Sequence, residues 1–172
     1  DRRRALDKPI GTGGDRVAAG RGQQAQQRAI AAAGMPVLSR AQALLAEQGA
    51  AVEYVDLRGL GLPACDGAAC YTHPAVTELA VRISHAEGVI LATPIYNFGA
   101  GASAKNLIEL TGQAWARKPV SFLCAAGGQN SYMAVMGLAN TLMLDFRSYI
   151  LPRFVYASEA DFDGDTITET AV

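Results

Sequence analysis

Residues 87–106 read EGVILATPIYNFGAGASAKN, and the reading of this stretch decides the fold. Its first part, Glu87 to Ala92, is short, apolar and partly β-branched, which suits a central strand buried on both faces. Beyond it, Ala104, Leu107, Ile108 and Thr111 recur at helical spacing. The residues between, from Thr93 on, are therefore expected to form a strand-to-helix loop carrying Tyr96, Asn97 and Phe98 at the carboxyl end of the strand. In open α/β sheets ligands bind at that end.

The same alternation runs outward in both directions. Before the strand, VLSRAQALLAEQG puts Leu38, Ala41, Leu44 and Leu45 on one helical face, closed by Gly49 in the left-handed terminal position. AAVEYVDL (residues 50–57) alternates as a strand, RGLGLPACDGAACYTHP is a long loop, and AVTELAVRISHAEG is a helix with Val76, Leu79, Ala80 and Ile83 on one face. After the quoted stretch, KPVSFLCAA is a strand running into GGQNSY. MAVMGLANTLMLDF is a helix with Met133, Met136, Met143 and Leu144 available for packing, and SYILPRFVYA is a last strand. Strands separated by helices of this length predict a parallel sheet covered by helices on both faces, joined by right-handed crossovers. A closed eight-fold barrel needs about 200 residues or more, so an open doubly wound sheet is expected for a chain of 172.

Composition sets the limits. Half the residues are hydrophobic and 18% are charged, a globular balance, and no apolar run approaches the roughly 18 residues that span a bilayer. No signal segment is recognisable at the start, so the expectation is a cytoplasmic protein with no membrane partner. The net charge of −1 is unevenly spread: residues 1–40 hold eight Lys/Arg against three Asp, a balance of +5. A basic arm can bind nucleic acid, but the first aromatic of the chain is Tyr54, so this arm has no ring to stack on bases and no nucleic-acid partner is expected. Cys65, Cys70 and Cys124 are too few and too scattered for a disulfide framework, have no second zinc-like pair, and are read as small structural residues.

Two loops at strand ends carry the chemistry. TPIYNFGAG offers rigid backbone at Pro94, aromatic faces at Tyr96 and Phe98, and an amide at Asn97. AAGGQNSY offers Gly127 and Gly128, whose missing side chains let a flat ligand approach the backbone, with Gln129 and Asn130 as polar neighbours. Together they suit a planar heteroaromatic ring, stacked by one loop and hydrogen-bonded along its polar edge by the other. His73 and His85 lie away from both loops, so neither loop pairs a nucleophile with a histidine base.

These stretches, TPIYNFGAGASAKNLIEL and KPVSFLCAAGGQNSYMAVMGLANTLMLDFRSYILPRFVYA, resemble the NAD(P)H-dependent FMN reductase family of flavodoxin-like fold. The resemblance covers roughly residues 37–165 and implies a strand order 2-1-3-4-5. It implies FMN as cofactor, lined by Pro94, Ile95, Tyr96, Asn97, Phe98 and Gly99 and met at its pyrimidine edge by Gly127, Gly128 and Gln129. NADPH or NADH would donate hydride, and a small acceptor such as a flavin or quinone would receive it, so the flavin does the chemistry and no catalytic side chain is required. A homodimer or homotetramer is implied too, with the helices of Lys105 and Met136 as contact candidates. Two rival readings stand beside it: a flavodoxin-like electron carrier, disfavoured by the near-neutral charge, and a flavin-free or defective family member, since no phosphate loop is recognisable.

Residues 1–35 do not match the family. They contain no apolar strand and no Gly-Ser-x-Arg phosphate loop, and IGTGGDR (residues 10–16) lies too far upstream to serve as one. An Arg/Gly/Ala/Gln-rich stretch of this kind is what a GC-rich gene yields out of frame, with a genuine divergent tail as the alternative reading. The expected division is an atypical segment 1–35 and a flavodoxin-like FMN-binding domain 36–172.

Overall fold

A computed structural model describes residues 36–163 and 166–168. Helix α1 (Pro36–Glu47) comes first, then α2 (Pro74–His85), strand β1 (Val89–Tyr96) and the two-residue strand β2 (Gly99–Ala100). Helix α3 (Ala102–Thr111), β3 (Pro119–Ala126) and α4 (Met136–Phe146) follow. The short strands β4 (Tyr149–Ile150), β5 (Val155–Ser158), β6 (Phe162–Asp163) and β7 (Thr166–Ile167) close the order.

The centre is the parallel pair β1 and β3, in register from Val89 opposite Val120 to Pro94 opposite Ala125. β3 then pairs in parallel with β4 at its start and β5 at its end. β4 and β5 together occupy the place of the single last strand expected over residues 148–157. Between them β3 advances from Val120 to Leu123 while the partner advances from Ile150 to Val155, across Leu151-Pro152-Arg153-Phe154. Pro152 has no N–H to give a ladder, so the strand breaks there and resumes.

The expected strand at residues 50–57 is not a strand. Residues 51–56 join no ladder, although Val55 is buried and the Arg82 guanidinium donates to Glu53 at 2.6 Å. A strand needs a neighbour, and among the described residues the edge of β1 opposite β3 pairs only with β2. The reading of residues 1–35 as an atypical segment without a first strand or a phosphate loop lies outside the described residues. The result is an α/β fold with a mixed, mainly parallel sheet.

The helices follow their apolar period. α1 ends in a Schellman motif: Gly49, at φ +82°, donates to Ala46 O and Ala50 N donates to Leu45 O. α2 buries Val76, Leu79 and Ile83, and α3 buries Ala104, Leu107, Ile108 and Thr111. α4 differs. It packs through Leu138, Ala139, Leu142 and Phe146, while Met133, Met143 and Leu144 are exposed and Met136 is half-buried against the core. The helix begins at Met136 because Gln129–Val135 winds as 3₁₀ turns with a non-helical residue at Ser131.

The main core lies between the sheet and α2, α3 and α4, around Trp115, Phe122, Leu107 and Leu142. A second cluster, Val37, Leu38, Ala92, Leu123, Ala157 and Ile167, fixes α1 on the other face. Cys124 is buried in β3, which pushes its thiol up to about 12. Helices on both faces leave the carboxyl ends of β1, β3 and β5 as the place where loops converge.

Candidate flavin site

Because β1, β3 and β5 are parallel neighbours, Pro94, Ala126 and Ser158 reach the same end of the sheet. The first of the three ends differs from the loop expected there. β1 continues through Pro94, Ile95 and Tyr96 and folds back in a tight hairpin, Ile95 opposite Ala100 and Tyr96 opposite Gly99. Its two turn residues, Asn97 and Phe98, both have positive φ, 49° and 62°. A two-residue hairpin turn of this hand requires that conformation at both positions. Asparagine tolerates it; for a bulky phenylalanine it costs roughly 1–2 kcal/mol.

The hairpin holds Tyr96 and Phe98 out of the protein, 67% and 60% exposed. Ile95 points the other way and is buried in the core, so only its backbone could meet a ligand. The base of the hairpin is locked by Gly101, whose N–H donates to Thr93 Oγ1 at 3.0 Å and to Pro94 O at 2.8 Å. A Cβ at Gly101 would lie 3.1 Å from Pro94 Cγ and 3.3 Å from Thr93 Oγ1. Close approach explains this glycine.

Gly127 and Gly128 have no such internal reason. Neither has the positive φ that only glycine adopts readily, and a Cβ at either would meet no protein atom within 4 Å. Their bare backbone faces open space. They and Gln129 line an open groove of about 440 Å³ with Ser158, Glu159 and Ala160. The Gly-Gly loop is held from the side by Tyr156, whose hydroxyl donates to Gly128 O at 2.7 Å. Tyr132 stacks on Phe154 with centroids 4.7 Å apart and leans on Tyr156 at 5.6 Å, completing an aromatic brace.

Sequence reasoning missed this third wall. Ser158 donates from both its N–H and its hydroxyl to Asp161 Oδ2 at 2.8 Å, and these two bonds hold the Asp161 carboxyl below the usual range. The available signal was the end of FVYASE, another strand running into a polar turn. The structure thus places Pro94 to Gly99 and Gly127 to Gln129 on adjacent strand ends, and the groove beside the glycines is completed by residues 158–160. Lys105 lies apart, in an exposed pair with Glu109 at 2.7 Å.

Chemically, this edge provides exposed rings, carbonyls and unshielded backbone. That donor set fits the flat, polar-edged ring system of a flavin: the positions a Cβ would fill at Gly127 and Gly128 are empty, and two aromatic faces stand on the adjacent strand end. A profile described as NADPH-dependent FMN reductase matches residues 34–163 of this chain. The chain belongs to the NADPH-dependent FMN reductase family.

Among curated proteins, this family member is 32% identical over 84 residues to an NADPH:quinone oxidoreductase of Arabidopsis thaliana, covering 46% of this chain and 43% of that protein. It is 25% identical over 114 residues to an NAD(P)H-dependent FAD/FMN reductase of Geobacillus thermodenitrificans, 65% of this chain and 62% of that one. The chain therefore spans about two-fifths to three-fifths of the length of these relatives. Among solved structures, the fold resembles FerB, a flavoenzyme NAD(P)H:(acceptor) oxidoreductase from Paracoccus denitrificans, with TM-score 0.66, 20% identity and coverage of 84% and 87%. An oxidoreductase from Corynebacterium diphtheriae gives TM-score 0.64 at 16% identity, covering 82% and 86%. At these identities the likeness is one of fold. Among the described residues no helix is long and apolar enough to cross a membrane.

Proposed function

We propose that this chain is an NAD(P)H-dependent oxidoreductase that binds FMN at the β1–β3–β5 edge and reduces a small acceptor of the flavin or quinone type. The observation that carries the reading is the Gly127–Gly128 backbone, open where nothing in the packing requires glycine, beside the exposed rings of Tyr96 and Phe98. Bound FMN would supply the hydride chemistry, taking a hydride from reduced nicotinamide and passing it to the acceptor. The residues' part is to orient. Tyr96 and Phe98 offer faces against which a ring can lie, with Asn97 at the turn between them. The N–H groups of Gly127, Gly128 and Gln129 offer donors to a polar ring edge, and the Tyr156 brace keeps them in line. FMN reductase relatives and an NADPH:quinone oxidoreductase among the sequence matches support the choice of donor and acceptor.

The finer architecture follows the same reading. We infer the flavodoxin-like order 2-1-3-4-5, in which β1, β3 and the β4–β5 pair are its last three strands. The helices of Lys105 (α3) and Met136 (α4), the latter with Met143 and Leu144 exposed, are the candidate contacts of a homodimer or homotetramer, and the site of action is taken to be the cytoplasm.

Purified chain, incubated with FMN and freed of excess, would be examined by visible absorbance and then mixed with NADPH and a quinone. Retained flavin absorbance with acceptor-dependent NADPH oxidation supports the assignment. Flavin retained without nicotinamide turnover would make the chain an electron carrier, and no retention would remove FMN from this edge.

A further inference from the structure

Outside the flavin edge, one cluster of reactive side chains is left without a role. The long loop between residues 57 and 74 folds so that Cys65 Sγ lies 4.0 Å from Cys70 Sγ. Both are free thiols. The geometry points to a redox-active pair: Cys65 and Cys70 close to an intramolecular disulfide, with Cys65 meeting the oxidant and Cys70 resolving it.

Three observations assign these roles. The first is access. Cys65 is part-exposed and borders an open groove with Tyr71, Lys105 and Glu109, whereas Cys70 is 4% exposed and packs with Val76 and Leu110. A small oxidant in the groove reaches Cys65 first.

The second is polarity. The Tyr71 hydroxyl lies 3.6 Å from Cys65 Sγ, and its hydrogen bond, helped by the Gly67 N–H, lowers the Cys65 thiol below its ordinary value. Burial raises Cys70. The thiolate is the nucleophile toward an oxidant, so the exposed member is also the reactive one.

The third is mechanical. Cys65 is pinned: its N–H donates to Asn106 Oδ1 at 2.9 Å, and Asn106 Nδ2 donates to Pro63 O at 2.9 Å. The four residues between the thiols are exposed, and Gly67 turns at φ +72° with open space around it. Bringing the sulfurs from 4.0 Å to a bond of about 2 Å needs this turn, which Asp66 Oδ1 ties to the N–H groups of Ala68 and Cys70, to shift against a fixed Cys65.

With hydrogen peroxide as oxidant the step balances. The Cys65 thiolate attacks one peroxide oxygen, forming S–O and breaking O–O; the released hydroxide takes a proton and leaves as water. Cys65 is then a sulfenic acid, oxidised by two electrons. Cys70 sulfur attacks Cys65 sulfur, S–S forms, S–O breaks, and the hydroxyl leaves with the Cys70 proton as a second water.

The test uses the reduced full chain, treated with hydrogen peroxide, quenched with catalase, then denatured and alkylated with iodoacetamide. The expected product has lost two hydrogens and alkylates at one of the three cysteines, Cys124, with a Cys65–Cys70 cross-linked peptide on digestion. Cys70→Ser should instead leave a Cys65 sulfenic acid that dimedone traps. Three alkylated thiols after peroxide, a stable sulfinate at Cys65 in place of the cross-link, or a disulfide between two chains would each overturn the proposal. A Cys65→Ser chain whose Cys70 oxidises as fast as Cys65 does in the parent would overturn the assignment of roles.

Discussion

The Tyr156 hydroxyl donates to the carbonyl oxygen of Gly128 at 2.7 Å, tying β5 to the loop that leaves β3. This bond crosses between neighbouring strand ends and fixes the position of the Gly-Gly backbone at the edge of the sheet. Tyr156→Phe keeps the ring that Tyr132 leans on and removes only the donor. A part-exposed hydrogen bond of this kind is worth about 0.5–1.5 kcal/mol, so thermal stability should fall little while FMN affinity drops several-fold. Flavin fluorescence titration of both chains reads the difference.

Gly128→Val separates folding from binding. The backbone there is extended, φ −159° and ψ 172°, which any residue adopts, and the new side chain meets no protein atom nearby. Stability should stay within about 0.5 kcal/mol of the parent. The isopropyl group would occupy the ligand's space and lower FMN affinity by tenfold or more, a loss of about 1.4 kcal/mol. Loss of the fold with loss of flavin would mean that Gly128 is structural.

Phe98 stores strain at φ 62° and presents its ring outward. Phe98→Gly relieves the turn and should raise unfolding stability by up to about 1 kcal/mol. It also removes a stacking surface worth about 1 kcal/mol, so FMN retention should weaken several-fold. Opposite changes in Tm and in flavin Kd are the expected signature of a strained contact kept for binding.

The single tryptophan reports on the core. Trp115 Nε1 donates to Thr111 Oγ1 at 2.7 Å, and the same hydroxyl donates to Leu107 O at 2.6 Å. Thr111→Val preserves shape and leaves the buried indole N–H without its acceptor, which should cost roughly 1–3 kcal/mol. Urea unfolding followed by Trp115 fluorescence measures this directly.

Asp66 makes the 65–70 turn acid-sensitive. Its carboxyl is held down to about 2 by the Cys70 thiol, then by the N–H groups of Ala68 and Cys70. A carboxylate with a depressed folded value contributes stability above its unfolded value near 4, and that contribution is lost as pH falls toward 2. Asp66→Asn should therefore melt lower than the parent above pH ~4, with the gap closing by pH ~2. A gap that is independent of pH would mean that the carboxylate's charge contributes nothing to the turn.

Helical period located α1, α2 and α3, and short apolar, partly β-branched runs located β1 and β3, because each element's burial is written in its own residues. The helix end at Gly49 was equally legible: a left-handed cap is a local demand met by one residue. The failures fall where a partner decides. Residues 50–57 have the alternation of a strand and form none, since pairing requires a neighbouring edge and the described sheet offers them none. Met133, Met143 and Leu144 read as available for packing and are exposed, while α4 packs through Leu138, Ala139, Leu142 and Phe146.

The site divides in the same way. Two of its loops could be named from residue type, because aromatics and paired glycines at strand ends are written in the chain. Their alignment by the β1–β3 register, the burial of Ile95 and the third wall at Ser158–Ala160 could not. Nor could the meeting of Cys65 and Cys70, which depends on Asn106 reaching across from α3. Local sequence carries propensity, hydrophobic period and chemical type; which groups end up within a few ångströms of one another is settled by packing between elements distant in the chain, and only the folded structure holds that information.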